Sequence, residues 1–255
     1  MAIEQPECLL VLAGEERYQE QAESLAGKLS AEYYAGDPSE IGDALYLYLD
    51  AEGLSLRSGD LILRGDLTRM LPRLRPNNLS GELLVKAAKR KSFEGTPLLL
   101  DATAGLGEDS LLLAAAGFRV ELYEYDPVIA ALLADSLRRA AGIPGLSEIA
   151  ARMELHAGDS IEAMRHRTVS PDVILLDPMF PGRTKSALIK KKFQLLQRLE
   201  RPCAEEAELL DAAIAAGPKK IIIKRPVKGP YLAGRKPDYS LTGKAIRCDC
   251  LVFAR

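Results

Sequence analysis

Leu98-Leu-Leu-Asp-Ala-Thr-Ala-Gly-Leu-Gly-Glu-Asp109 runs from an apolar strand ending in Asp101, through a loop with Gly105 and Gly107, into the start of a helix. Glycine reaches positive φ without a Cβ clash and lets a ligand approach the backbone, while the first turn of a helix offers unpaired N–H groups to an anion. The next strand, Val120-Glu-Leu-Tyr-Glu124, ends in a carboxylate seventeen residues after Gly107. Its two oxygens can chelate a ribose 2′,3′-diol, the plain alternative being a surface acid that caps a helix at Pro127. His156-Ala-Gly-Asp159 repeats the pattern after a third strand, where Asp159 either accepts from an adenine amino group or caps a helix from Ser160. Acids and glycines at successive strand ends suit a nucleoside ligand. A dinucleotide fold wants G-x-G-x-x-G, whereas Ala104 and Ser110 flank this glycine pair, so close approach of a pyrophosphate is not provided for. The expected cofactor is S-adenosylmethionine, with its methionine carboxylate at the helix N-terminus.

Val173-Ile-Leu-Leu-Asp-Pro-Met-Phe-Pro181 is a further apolar strand closing on an acid. It resembles the D/N-P-P-Y/F/W loop of amino-group methyltransferases, with Met179 at the second proline. The lone pair of an exocyclic amino group is delocalised into its ring, so it must be pulled into line with a methyl donor by acceptors on its N–H bonds. Asp177 and the Pro178 carbonyl are those acceptors, and Phe180 is the ring on which a base stacks. Positioning carries most of such a mechanism, because the proton can leave after the nitrogen becomes cationic.

The elements that must hold these residues follow from periodicity. Residues 8–13 form a short buried strand and residues 15–28 a helix, and alternation over 44–50, 53–58 and 61–67 makes an antiparallel meander. Residues 1–70 are thus expected as a small α/β lobe. Residues 71–96 are expected as a linker, Pro/Asn-rich over 71–78, and a helix from Ser80, its N-cap, to Lys91. From residue 97 to 255 strands and helices alternate, with strands at 98–101, 119–124, 153–156, 173–177 and 220–224, then a hairpin over 239–242 and 245–253. A parallel sheet closed by an antiparallel pair is the Rossmann-like α/β architecture of class I methyltransferases.

The net charge of −2 is the sum of unlike parts. Residues 1–60 hold 13 acidic and 3 basic side chains, leaving 23 acidic and 31 basic in the remainder. Residues 183–198 hold six cations and residues 219–236 seven, with no acid in either stretch, as a polyanion surface would require. Cys8, Cys203, Cys248 and Cys250 are too scattered for a disulfide framework, and with His156 and His166 as the only histidines no metal site is expected. Cys248-x-Cys250 on a strand puts both thiols on one face, as packing or, less simply, as a metal or redox pair. The N-terminus has no basic and apolar leader, and no run approaches the ~18 apolar residues of a membrane span, so a cytoplasmic protein without a membrane partner is expected.

Taken together, Asp101-Ala-Thr-Ala-Gly-Leu-Gly107, Asp177-Pro-Met-Phe-Pro181, Lys185-Ser-Ala-Leu-Ile-Lys-Lys191 and Ile223-Lys-Arg-Pro226 resemble the ribosomal RNA small subunit methyltransferase J family over residues 98 to about 253. The first 70 residues match weakly. The resemblance implies methylation of a guanosine N2 amino group, at guanosine 1516 of 16S rRNA. It also implies cofactor contacts at Glu108, Asp109, Glu124, Tyr125, Gly158, Asp159 and Asp177. The two basic stretches then flank one mouth, with Arg183, Lys185, Lys190, Lys191, Lys224 and Arg225 expected on RNA phosphates. Rival readings are an amino-methyltransferase acting on another RNA, on DNA adenine or on a protein amide, an NAD-dependent oxidoreductase, and a non-catalytic RNA-binding protein.

Overall fold

The alternating segments before residue 67 and the apolar runs after residue 97 form two separate sheets in the computed structural model, which describes residues 9–89, 95–178, 195 and 206–253. The first sheet comprises β1 (Leu10–Ala13), β2 (Glu32–Tyr33), β3 (Tyr46–Asp50), β4 (Gly53–Ser58) and β5 (Leu61–Leu63), in the order β2-β1-β3-β4-β5. β1 is parallel to β2 and β3, while β3, β4 and β5 make the expected antiparallel meander. Helix α1 (Gln19–Leu29) closes β1 to β2 and buries Ala22 and Ala26.

Between the sheets the chain does not form the single helix expected from Ser80 to Lys91. It folds as α2 (Leu71–Leu74), α3 (Pro76–Leu79) and α4 (Leu83–Ala88). Pro76 fits the first turn of α3, Ser80 continues that turn in helical geometry, and Glu82 in extended geometry starts α4. The segment is well anchored, because Leu84, Val85, Ala87 and Ala88 sit in the main core with Leu99 and Leu112.

The second sheet comprises β6 (Leu98–Asp101), β7 (Arg119–Glu124), β8 (Met153–Ala157), β9 (Val173–Leu176), β10 (Lys220–Pro226), β11 (Tyr239–Thr242) and β12 (Ile246–Val252). Their order is β11-β12-β10-β9-β6-β7-β8. β6 to β10 are mutually parallel, and β12 runs antiparallel to both β10 and β11. Helices α5 (Glu108–Ala115), α6 (Pro127–Ala140), α7 (Ser147–Ala150), α8 (Ser160–Arg165) and α9 (Glu206–Ala215) follow in the connections. Successive strand residues face opposite layers: Val173 and Leu175 join one core cluster, Ile174 and Leu176 the other. This is the doubly covered α/β sheet expected from the sequence. Cys248 and Cys250 share one face and are fully buried, and burial pushes the Cys248 thiol up to about 12, so they act as packing groups. Among the described residues no cluster of metal-ligating side chains occurs, and no helix is long and apolar enough to cross a membrane.

The two sheets are coupled through α6. Leu133 lies in the main core, whereas Val128 and Leu132 pack with Leu47, Leu54 and Leu56 of the first sheet. On the same helix Asp135, 6 % exposed, accepts from the backbone N–H of Leu54 at 2.9 Å, from Arg138 at 2.7 Å and from Arg139 at 2.8 Å. Burial works to raise this carboxyl, but the two guanidinium hydrogen bonds and the Leu54 amide outweigh it and hold it below its ordinary value. Removing this acceptor leaves the buried Leu54 amide and the largely enclosed Arg139 without their partner, while the exposed Arg138 turns to water. Asp135→Ala is therefore expected to destabilise the fold by about 3 kcal/mol, read as a fall in the urea midpoint. A midpoint within error of the parent protein would show that the joint between the sheets does not depend on this carboxylate.

Candidate functional site

The strand order reverses between β6 and β9: the chain steps outward from β6 through β7 to β8, then returns to β9 and β10 on the other side. Ligands of open α/β sheets bind beyond the carboxyl ends of strands at such a point. Asp101 ends β6 there and Asp177 follows β9.

Asp101 is 2 % exposed and organises the glycine loop from beneath. Its Oδ1 accepts from the Thr103 N–H at 3.1 Å and its Oδ2 from the Ser110 hydroxyl at 2.6 Å, tying the start of the loop to the first turn of α5. Burial raises this carboxyl to about 7, against the opposing pull of the Ser110 and Thr103 hydrogen bonds. The two glycines do different work. At Gly107, with φ 77°, a Cβ would stand 2.6 Å from Leu133 Cδ1, so the absence of a side chain lets α5 pack against α6. At Gly105, with φ 55°, a Cβ would meet nothing within 4 Å, so the backbone there faces open space.

Glu124 is the hub of three loops. Its Oε2 accepts from Gly105 N–H at 2.8 Å, its Oε1 from Asp126 N–H at 2.9 Å, and its backbone carbonyl from Gly158 N–H at 2.9 Å. Burial raises this carboxyl as well, with the amides of Asp126 and Gly105 pulling the other way. Each carboxylate oxygen offers about two acceptor positions, so one on each is left for ribose hydroxyls. The helix-capping alternative is not filled by Glu124: Asp126 caps α6, accepting from Val128 at 2.8 Å and Ile129 at 3.0 Å. Tyr125, 66 % exposed, stands beside the hub. Asp159 does cap α8, accepting from Ile161 N–H at 2.8 Å, and Gly158 before it has open space where a Cβ would be. Glu108 is exposed at the start of α5, with Asp109 beside it partly buried.

The methyl-transfer candidates lie against this cradle. Thr103 Oγ1 accepts from Asp177 N–H at 2.7 Å, which locks the β9 loop to the glycine loop. Lys224 Nζ donates to Asp177 Oδ2 at 2.6 Å and also to Asp109 Oδ2. Burial works to lower this ammonium, but Asp109 and Asp177 more than compensate and it stays charged well above its ordinary range. Pro178 follows Asp177; Phe180, Arg183, Lys185, Lys190 and Lys191 lie outside the described residues.

Two expected phosphate contacts need correction. Lys224 is held between two acids of the site, and Arg225 is 1 % exposed, donating to Glu206 Oε1 at 2.9 Å and to the Pro230 carbonyl at 3.1 Å. Adjacent residues on a fully covered strand face opposite buried layers, so neither cation reaches a polyanion from β10. Thr103 and the internal role of Lys224 escaped the sequence reading. Thr103 stands out as the one hydroxyl in Ala102-Thr-Ala-Gly105, while the partners of Lys224 are remote in sequence.

The donor set fits S-adenosylmethionine: open backbone at Gly105 and Gly158, a carboxylate with spare acceptor positions between them, and a helix N-terminus alongside. Comparisons with known proteins agree. Residues 42–253 match the family described as putative SAM-dependent methyltransferase, so the family extends back into the first sheet, where the sequence resemblance was weak. The chain is 39 % identical over 245 residues to ribosomal RNA small subunit methyltransferase J of Thioalkalivibrio sulfidiphilus, covering 93 % of this chain and 94 % of that one. It is 38 % identical over 215 residues to the protein of the same name from Neisseria gonorrhoeae, covering 83 % and 85 %. A crystal structure of a SAM-dependent methyltransferase from Neisseria gonorrhoeae superposes with a TM-score of 0.75 at 31 % identity, covering 96 % of this chain and 95 % of that one.

The buried Asp101 makes a prediction with a definite sign. Between an ordinary carboxyl pKa of about 4 and its folded value of about 7, the folded protein keeps a proton that the unfolded chain has lost. The stability contributed by this group is therefore full below pH 4 and lost as pH rises to 7. Asp101→Asn removes the titration, so the stability advantage of the parent over the variant should shrink by up to about 4 kcal/mol across that window. Urea unfolding of both proteins at pH 4.5 and 8 measures it; a constant gap would refute the raised pKa.

Proposed function

Because the chain belongs to the SAM-dependent methyltransferases, in the ribosomal RNA small subunit methyltransferase J family, we propose that it methylates the N2 amino group of a guanosine in 16S rRNA, the position implied by the family resemblance being guanosine 1516. S-adenosylmethionine is its cofactor and supplies, when bound, an electrophilic methyl group on a sulfonium sulfur. The observation that favours transfer to an amino group is the lysine-bridged pair Asp109–Lys224–Asp177 at the strand reversal, which joins the cofactor helix to the Asp-Pro loop.

In this reading Glu124 receives the ribose hydroxyls, the amides at the start of α5 near Glu108 and Asp109 receive the methionine carboxylate, and Tyr125 with Asp159 flanks the adenine. Asp177 and the Pro178 carbonyl accept from the two N–H bonds of the target amino group, and Phe180 stacks on its base. Lys224 keeps Asp177 ionised and fixes one of its oxygens. No residue needs to take the proton before transfer. Residues 97–255 act as the methyltransferase domain, residues 1–70 as a lobe supporting it through α6, and residues 71–96 as the connection. The protein works in the cytoplasm on rRNA, free or within the small subunit.

Labelled S-adenosylmethionine offered with naked 16S rRNA, small subunits from cells lacking the gene, DNA or protein decides the substrate. Label in N2-methylguanosine of 16S rRNA, located by mass mapping, is expected. Label in DNA adenine or a protein amide, with none in RNA, would overturn the proposal.

Two substitutions test the roles. Asp177→Ala should lower the turnover number by about 100- to 1,000-fold, with a much smaller change in S-adenosylhomocysteine affinity; full activity would refute its placement. Lys224→Met leaves two facing carboxylates without their cation, so the acid limb of the pH–rate profile should move to higher pH. An unmoved limb would show that Lys224 has no part in keeping the acceptor charged.

A further inference from the structure

Of the seven cations in residues 219–236, four have internal partners. Lys219 pairs with Asp172, Lys220 donates to the carbonyls of Ala87 and Lys89, and Lys224 and Arg225 are bound as described above. The other three, Lys228, Arg235 and Lys236, are exposed, as is Lys244 beyond this stretch, and two of these four lie on neighbouring turns. Lys228 stands on the turn that leaves β10 two residues after Pro226, and Lys244 on the turn joining β11 to β12. Register places both turns at the sheet edge that carries the site, because Arg247 of β12 lies opposite Arg225 of β10 and Thr242 of β11. The turns are joined to each other, Val227 N–H donating to the Ala245 carbonyl at 3.3 Å.

A buried guanidinium fixes the first of these turns, on which the second is hydrogen-bonded. Arg247, 7 % exposed, donates through Nη1 to the carbonyls of Pro226 at 2.8 Å, Val227 at 2.8 Å and Gly229 at 2.9 Å. Its Nε donates to Asp249, and its guanidinium lies 5.0 Å from the centre of the Tyr231 ring. Arg225 adds a hydrogen bond to the next carbonyl, that of Pro230. Desolvating two guanidinium groups to shape a surface turn is costly, and a solvated loop with no further task does not require it. On the turns so held, Lys228 and Lys244 are exposed and have no acidic partner among the described residues.

We propose that Lys228 and Lys244 form a phosphate-contact platform for the RNA strand flanking the methylated nucleotide, held in shape by Arg247. The proposal rests on the reading of the protein as an RNA methyltransferase. It moves the polyanion contact from the strand, where Lys224 and Arg225 are enclosed, to the turns beyond it. The platform is rigid and lies at the same sheet edge as Asp177, so a bound backbone would be positioned and not merely attracted.

The test is equilibrium binding of naked 16S rRNA to the full chain over about 50 to 300 mM salt. For Lys228→Gln/Lys244→Gln the affinity at low salt should fall about tenfold, and the plot of log affinity against log salt should become less steep by about 1.5. S-adenosylhomocysteine affinity should not change. A control, Lys28→Gln/Arg119→Gln, removes two exposed cations from the first lobe and from the start of β7 at the opposite sheet edge, and should leave the slope unaltered. An unchanged slope in the first variant, or an equal change in the control, would overturn the platform. So would a loss seen with assembled subunits but not naked rRNA, which would assign the cations to a ribosomal protein. If the parent protein neither binds nor methylates 16S rRNA, the functional reading fails, and that is seen before any variant is compared.

Discussion

A lysine ammonium shared by two carboxylates at the strand reversal joins the segments on which the chemistry depends. Lys224 comes from β10, Asp177 from the end of β9 and Asp109 from the first turn of α5, so one cation ties the helix to the ends of two strands that are already paired with each other. Taking an ammonium out of water is expensive, and two carboxylates facing each other without it would repel. The arrangement is stable only because each charge answers another and because Asp109 also sits at the positive end of a helix. A compact ammonium suits this place better than a guanidinium, whose planar fork favours one carboxylate held by two parallel bonds.

The cradle beside it is built on the same principle: acids bound to backbone amides before any ligand arrives. Asp101 holds Thr103 and Ser110, Asp126 caps α6, Asp159 caps α8, and Glu124 gathers the loops after β6, β7 and β8. Loops fixed in this way lose little conformational freedom on binding, which favours affinity. The first lobe contributes indirectly. It packs on α6, whose N-terminal cap lies two residues after Glu124, so Asp135 and the Val128–Leu132 contacts brace the helix that follows Glu124. An acidic lobe can do this without meeting RNA.

Much of this was legible in the sequence where signals are local. The strand–glycine–helix unit, the five parallel strands with their closing hairpin, and the shared face of Cys248 and Cys250 all follow from period and turn chemistry, and all are found. Signals that depend on distant partners were misread. A run of cations in residues 219–236 reads as a surface, yet Lys224 and Arg225 alternate into opposite layers toward Asp109 and Glu206, 115 and 19 residues away. The linker helix was misplaced for a local reason: Ser80 is a good cap by type, but Pro76 had already started a helical turn that runs through it. Asp126 and Glu124, two residues apart, could not be told apart as cap and ligand by type alone, because both are acids before the same helix.

The acids also bear on how the proposed transfer runs. A general base works best with a pKa near neutrality, and it must reach the proton it removes. Asp101, raised to about 7, meets the first condition and fails the second: it is enclosed beneath the loop, with Ser110 and Thr103 on its oxygens. In the proposed pose Asp177 meets the second, but its Oδ2 already holds the Lys224 ammonium. It remains a strong hydrogen-bond acceptor. An arrangement that places the neutral-range acid out of reach and the lysine-bonded one in reach suits a reaction in which the nitrogen is oriented first and gives up its proton only after it has gained the methyl group.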